Sequence, residues 1–357
     1  MITNLDPLPD SLHAWIGRYQ QLAVTGVRST NVTRKISLHL DRFQAFFENA
    51  YGHDHISTCL PRDVLAWQNT LLHQHLAPAT INNHLASLSA FTTWTHSQNT
   101  QLFAAGNPTK GISELGLPPL EPRTLSSEQV RSLKNLCDRL ERFHLLKGRR
   151  LFNSSANADN NNKRLHSYSR PWRDRAIVFT LLSTGLRREE LVQLNLVQLE
   201  PNTPQALRTG RKARINKVRG KGKTERRVFL SADARSALAD YLEKERSLDL
   251  TPQAEALFFS AVGLPARAQD GRLSPRAINL ILAQIGEWHD SEFQDETRKI
   301  SPLRPHDLRH TFAFQLAKTT GADVYELERR LGHRSQRYLQ RYTNPPEAIA
   351  ATYVEEF

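Results

Sequence analysis

Cysteine, methionine and long apolar runs are what this 357-residue sequence has least of. Cys59 and Cys137 are its two cysteines, and there is one methionine. No CxxC pair or Cys/His cluster stands at zinc-ligand spacing, which excludes a disulfide framework, argues against a structural metal and suits a reducing compartment. His53 with His55 and His73 with His75 have no further ligands at a useful spacing and read as solvated histidines. No stretch approaches the roughly 20 apolar residues of a membrane span. The first ten residues carry two aspartates and two prolines instead of a basic start and an apolar run, so neither a secretory leader nor a membrane partner is expected, and the chain reads as cytoplasmic.

What is present in excess is positive charge. Lys and Arg outnumber Asp and Glu by 48 to 36, a formal charge of +12. Such a balance favours a polyanionic partner, nucleic acid foremost, because each neutralised phosphate releases a counterion. Charge by itself improves solubility just as well, so motifs must decide. A length of 357 residues with 39% hydrophobic and 24% charged content predicts two domains.

From Ser11 to about Asn99 the pattern is helical. Ile36, Leu40, Phe43 and Phe47 share one helix face, as do Ile81, Leu85, Leu88 and Phe91, followed by Trp94. Thr80 is placed to cap the second of these helices, and Pro61 fits the first turn of another. Residues 1–107 are thus expected to form a helical domain whose stripes are plain core. Between Gly106 and Pro122 lie four prolines and three glycines, which reads as a linker over 108–122. Residues 123–357 form the second domain. Leu125-Ser126-Ser127-Glu128-Gln129-Val130 reads as a helix start, with one of the serines offering a cap and Glu128 near the positive end of the helix dipole, and the Asn- and Ser-rich basic stretch 147–170 reads as a flexible insertion.

Beyond Arg173 a helix is expected to pause at Thr184-Gly185 and resume at Leu186-Arg187-Arg188-Glu189-Glu190-Leu191. Residues 213–218 and 226–230 read as strands of a hairpin around Gly220-Lys221-Gly222. Later helices are expected over 308–318, 324–331 and 346–356. The fold class is mainly α with a small antiparallel sheet.

Six residues of the second domain can handle a phosphate: Arg187, Lys221, His306, Arg309, His333 and Tyr342. His306 and Arg309 stand three apart at a helix start, behind Pro305, so that both can reach one point. Leu331-Gly332-His333 places a histidine just past a helix end. Tyr342 follows nine residues later, so a histidine and a tyrosine can converge.

Taken together, Thr184-Gly185-Leu186-Arg187 with Glu190-Leu191, Gly220-Lys221-Gly222, His306 to His310, Leu331-Gly332-His333 and Gln340-Arg341-Tyr342-Thr343 resemble the tyrosine recombinase (phage integrase) family, in order and in spacing. The likeness extends to the first domain, where Ala79 to Leu85, Phe91, Trp94 and Asn107-Pro108 are similar to the family's helical core-binding domain, so it spans nearly the whole chain. Two departures stand out: the insertion before Arg187 is unusually long, and the segment from Arg187 to Lys221 is longer than in compact members. The family pattern selects Lys221 over Lys217 and Lys223, which are left to DNA backbone or solvent, and Tyr342 over Tyr338 and Tyr353.

The resemblance implies a DNA clamp and an enzyme that cuts and rejoins duplex DNA at specific sites through a 3′-phosphotyrosyl ester and a Holliday junction. A phenol titrates near about pH 10, so Tyr342 needs its proton removed or its target made more electrophilic. Arg187 and Arg309 suit the nonbridging oxygens of the phosphate. His333 would donate to one of them and His306 would take the phenol proton, two roles that are exchangeable at this stage. Lys221 is implied as the acid on the 5′ oxygen, with Glu190 orienting a basic side chain. Neither metal, ATP nor another cofactor is implied.

The implied partner is double-stranded DNA carrying recombination sites, held by a homotetramer on synapsed duplexes, with accessory DNA-bending proteins as an option. Integration, excision or resolution of a mobile element all use this chemistry. Ile349, Ala350, Tyr353, Val354 and Phe357 could form an apolar face over 346–357, docking on an adjacent protomer or on their own. Two other readings are a catalytically silent DNA-binding protein and a relaxing enzyme of the type IB topoisomerase kind. The six filled positions oppose the first; the helical first domain and the residues around Tyr342 oppose the second.

Overall fold

The computed structural model describes residues 8–117, 122–145, 168–220, 224–251 and 254–332. Lys221, His333, Tyr338, Tyr342, Tyr353 and the helix expected over 346–356 lie outside the described residues, as does the insertion apart from Tyr168 to Arg170. The chain divides into two compact units, Met1–Leu120 and Glu121–Phe357.

In the first unit, four helices gather around an aromatic core: α1 (Leu12–Tyr19), α2 (Thr30–Tyr51), α3 (Pro61–His73) and α4 (Pro78–Gln98). Leu40, Phe43 and Phe47 are buried from α2, and Ile81, Leu85, Leu88 and Phe91 from α4, with Ile36 and Trp94 packed at the margin. Phe43 meets Trp67 edge-on at 5.0 Å, a geometry that pairs a ring's positive rim with its neighbour's negative face.

Helix starts follow local chemistry. Pro61 opens α3, and the Asp63 carboxylate accepts the Leu60 amide at 2.8 Å. Thr80 is not the cap of α4: Pro78, with its φ preset for a first turn, starts the helix after Ala77. The Thr80 hydroxyl therefore lies inside the helix.

The stretch that its prolines and glycines mark as linker is held on this unit as far as Leu115. The Asn82 amide exchanges two hydrogen bonds with the Leu115 backbone, both 2.9 Å. Gln68 donates to the Ser113 carbonyl at 3.3 Å, and Ile112 and Leu115 pack on the core. Buried amides on α3 and α4 supply a partner that backbone composition alone does not reveal.

The second unit is built around α6 (Pro171–Thr184), buried on almost every side through Ala176, Ile177, Val178, Phe179 and Leu181. Before it stands α5 (Ser127–Cys137), capped reciprocally by Ser126 and Gln129. After it come the short α7 (Arg188–Val192), β1 (Leu199–Glu200), α8 (Pro204–Thr209), β2 (Ala213–Arg219), β3 (Glu225–Leu230) and α9 (Ala232–Lys244). The unit continues with α10 (Pro275–Asp290), α11 (Pro305–Thr320) and α12 (Val324–Leu331).

The sheet is antiparallel in the order β1-β2-β3. Its hairpin was legible, whereas β1, two residues long, is too short to show any alternation. A bulge between Ile215 and Val218 puts Lys217 at φ 50°, and Gln198 fixes it by donating to the Asn216 and Lys217 carbonyls at 3.0 and 2.8 Å.

Candidate functional site

Two arginines that lie 122 positions apart in the sequence meet at one backbone carbonyl. Arg309, buried on α11, donates from Nη2 to the Leu331 oxygen at 2.7 Å and from Nη1 to the Gly185 oxygen at 2.6 Å. Arg187 donates from Nη1 to the same Leu331 oxygen at 3.4 Å. Leu331 ends α12, so its carbonyl has no acceptor role within the helix and sits at the negative end of the helix dipole.

Both ends of this arrangement need glycine. Gly185 closes α6 at φ 60°, and a Cβ there would fall 2.3 Å from Phe312 Cδ1. Gly332 closes α12 at φ 63°, with the Arg226 Nη1 atom 3.0 Å from where its Cβ would stand. An L side chain at either place meets both backbone strain and a neighbour.

Arg187 caps α7, and Glu190 turns back on it. The Glu190 carboxylate accepts the Arg187 amide at 2.8 Å and its Nη1 at 2.9 Å. Arg226 on β3 grips the same carboxylate with both prongs, at 2.9 and 2.7 Å. Burial disfavours the Glu190 charge, but the Arg226 and Arg187 guanidiniums and the Arg187 amide outweigh it and hold its pKa below the usual carboxylate value. Arg187 keeps Nε and Nη2 without a hydrogen bond among the described residues, and its side chain is 29% exposed.

His306 stands exposed in the first turn of α11, four residues before His310, their rings 6.2 Å apart. Partial desolvation of its ring, together with the charges of Arg309, Arg188 and Arg187, depresses its pKa below the ordinary 6.5. The imidazole is thus neutral near pH 7 and able to accept a proton. Asp307 points elsewhere: it is buried and takes the Arg304 amide at 2.9 Å, capping α11.

Of the seven residues singled out by sequence, Arg187, Glu190, His306 and Arg309 lie together. Gly220 and Thr224, which flank residues 221–223, are joined by a 2.8 Å backbone bond. Sequence reasoning missed Arg226. A signal existed, since Arg226 shares its strand face with the buried Val228 and Leu230, an odd place for a guanidinium. Among the described residues no three His, Cys, Asp or Glu side chains gather as metal ligands, and no helix is long and apolar enough to cross a membrane.

Residues 156–348 match the phage integrase family. Over 326 residues the chain is 27% identical to a tyrosine recombinase XerC of Syntrophus aciditrophicus (strain SB), covering 88% of this chain and 87% of that one. A tyrosine recombinase XerC of Myxococcus xanthus is 30% identical over 289 residues, 78% and 76% of the two chains.

Among solved structures, the XerH site-specific recombinase bound to a palindromic difH substrate in a post-cleavage complex matches with a TM-score of 0.67 at 18% identity, over 99% of each chain. The Tn1549 transposon integrase in complex with a circular intermediate DNA gives 0.64 at 16% identity, over 98% of this chain and 99% of that one. At such identities these likenesses speak for the fold. The chain belongs to the phage integrase family, and its activity class is that of a tyrosine-type site-specific recombinase.

Proposed function

We propose that Arg187 and Arg309 receive the scissile phosphate of a DNA recombination site and that Tyr342 attacks it. The phenol oxygen forms a new ester bond to phosphorus while the bond to the 5′ oxygen breaks. The phenol proton goes to His306, and Lys221 protonates the departing 5′ oxygen. His333 donates to a nonbridging oxygen. One phosphodiester replaces another, so the 3′-phosphotyrosyl ester retains the energy needed for rejoining and the cycle requires no ATP.

The observation that carries this reading is the shared Leu331 carbonyl. It draws two guanidiniums from separate helices to one point, and Arg187 retains donors to spare. Planar forks of this kind stabilise charge that builds up as phosphorus becomes five-coordinate. The depressed pKa of His306 keeps its ring neutral near pH 7 and suits it to accept the phenol proton.

Double-stranded DNA with specific sites is the partner, consistent with the excess of Lys and Arg. Four copies act on two synapsed duplexes through a Holliday junction, with DNA-bending accessory proteins where the sites need them, in the movement or resolution of a mobile element. Residues 1–107 serve as core-binding domain, 108–122 as the connection and 123–357 as the catalytic domain.

The test is trapping. Wild type and Tyr342→Phe are incubated, in chelator and without ATP, with nicked suicide duplexes tiled from the DNA flanking the gene. A detergent-resistant protein–DNA adduct with wild type alone is expected. Tight binding of a fragment without an adduct, even with two sites present, would overturn the catalytic reading.

A further inference from the structure

Arg226 belongs to no part of the chemistry above, yet it touches most of its framework. Its side chain is 9% exposed. Both prongs hold Glu190, and Nε donates to the Arg330 carbonyl at 2.9 Å. The guanidinium lies against Gly332, where Nη1, Cζ and Cδ all come within 3.4 Å of the position a Cβ would take. Arg226 also sits on β3, next to Glu225 and two positions from Thr224 at the end of the hairpin turn. Three segments distant in sequence therefore converge on a single side chain: the start of α7, the end of α12 and the hairpin.

We propose that Arg226 is a positioning residue for DNA cleavage, which sets Arg187 against the phosphate through Glu190 and locks the Leu331-Gly332 corner against the hairpin. This rests on the phosphate-binding role given to Arg187 above. Glu190 has two carboxylate oxygens and meets Arg226 on both, while Arg187 takes a share of one through Nη1 and the amide bonds the other. Arg226 thus decides where the carboxylate stands, and the carboxylate decides where Arg187 stands.

Lysine cannot replace it. An ammonium is a point charge without a fork and cannot hold two oxygens of Glu190 and the Arg330 carbonyl at once. Because a displacement of about 1 Å at a reacting group can cost about a hundredfold, losing this grip slows cleavage far more than it weakens DNA binding.

The experiment compares wild type, Arg226→Lys, Arg226→Gln and Arg187→Ala on a suicide duplex cut by the wild type. It measures the single-turnover rate of adduct formation at saturating DNA, the DNA affinity and the melting temperature. A second duplex carries a methylphosphonate at the scissile position, which has one charged oxygen fewer for Arg187 to neutralise. Expected for both Arg226 variants is a rate about a hundredfold down, affinity close to wild type, and a deficit that shrinks on the methylphosphonate in parallel with that of Arg187→Ala.

A role in folding alone predicts otherwise: a lower melting temperature and a smaller active fraction, with the rate of that fraction unchanged on both duplexes. That result overturns the proposal while the recombinase reading stands. If no duplex is cut and wild type instead binds a fragment tightly without forming an adduct, even with two sites present, both readings are overturned.

Discussion

The second unit buries two sets of paired charges, and they are balanced differently. Beside the N-terminus of α6, Arg170 meets Asp249 with both prongs at 2.6 Å, and Arg173 meets Asp174 at 2.8 Å. All four are buried. At the candidate site, Arg187 and Arg226 share the one carboxylate of Glu190, and Arg187 reaches solvent. In the first set two arginines face two carboxylates, so it is balanced and works as scaffold. The second holds more positive than negative charge among the described residues, which is the balance expected of a site that receives an anion.

The contrast can be broken most forcefully by removing one partner from each set. Asp249→Ala strips Arg170 of its bidentate carboxylate in a place where Asp249 is fully covered, and should cost about 3–5 kcal/mol of stability, read by denaturant unfolding. Cleavage per folded molecule should be unaffected. Arg187→Ala should do the reverse. Its loss leaves Glu190 gripped by Arg226, so stability moves by less than about 1 kcal/mol. Adduct formation should fall about 10²–10³-fold, as for the loss of other donors to a developing oxyanion. If Arg187→Ala unfolds the protein and Asp249→Ala does not, the roles assigned to the two sets are wrong.

Glycine at the corner of the site gives a smaller effect. Gly185→Ala introduces a Cβ at a positive φ and against Phe312, at a cost of about 1–3 kcal/mol. Since the Gly185 carbonyl holds Arg309, cleavage by the folded fraction should slow as well; unaltered stability and rate would show that Phe312 and the turn simply give way.

The balanced set has a flaw of its own. Glu245 is buried beside Asp174 and accepts the Arg173 amide at 2.8 Å. Burial raises its pKa to about 7 against the ordinary 4.5, with Asp174 adding to the shift and the Arg173 charge and amide opposing it. A carboxyl raised on folding stabilises below the unfolded value and loses that contribution as pH climbs from 4.5 through about 7. Glu245→Gln, which retains the acceptor, should therefore be more stable than wild type at pH 8 by about 3 kcal/mol and equal to it near pH 4. Equal stability at both would place Glu245 with the other charged members of the set.

Much of this was readable in the sequence because it is local. Helix faces, the hairpin, a serine cap just before Glu128 and the approach of His306 to Arg309 follow from spacing of a few residues. Glu190 behind Arg187 is likewise one helical turn. What spacing cannot show is a partner brought by the fold. Arg226, the Leu331 carbonyl and the Asn82 hold on Leu115 depend on contacts across 36, 144 and 33 positions. A backbone carbonyl, moreover, is the same in every residue and carries no sequence signal.

The least disruptive probe is pH. Partial desolvation of the ring and the charges of Arg309, Arg188 and Arg187 depress the His306 pKa, with Asp307 opposing them. The neutral ring is favoured by the fold, so His306 stays a proton acceptor until the pH drops below the ordinary histidine value of 6.5. The single-turnover cleavage rate should therefore hold steady from pH 8 to 6.5 and decline below it, with a midpoint under 6.5. In His306→Gln the rate should be lower at pH 8 and the acid decline should disappear. Arg188→Gln, which removes one charge from beside the ring, should shift the midpoint back toward the ordinary value, with the direction fixed by electrostatics. A decline that survives unchanged in His306→Gln would assign it to another group and detach His306 from the proton that Tyr342 must lose.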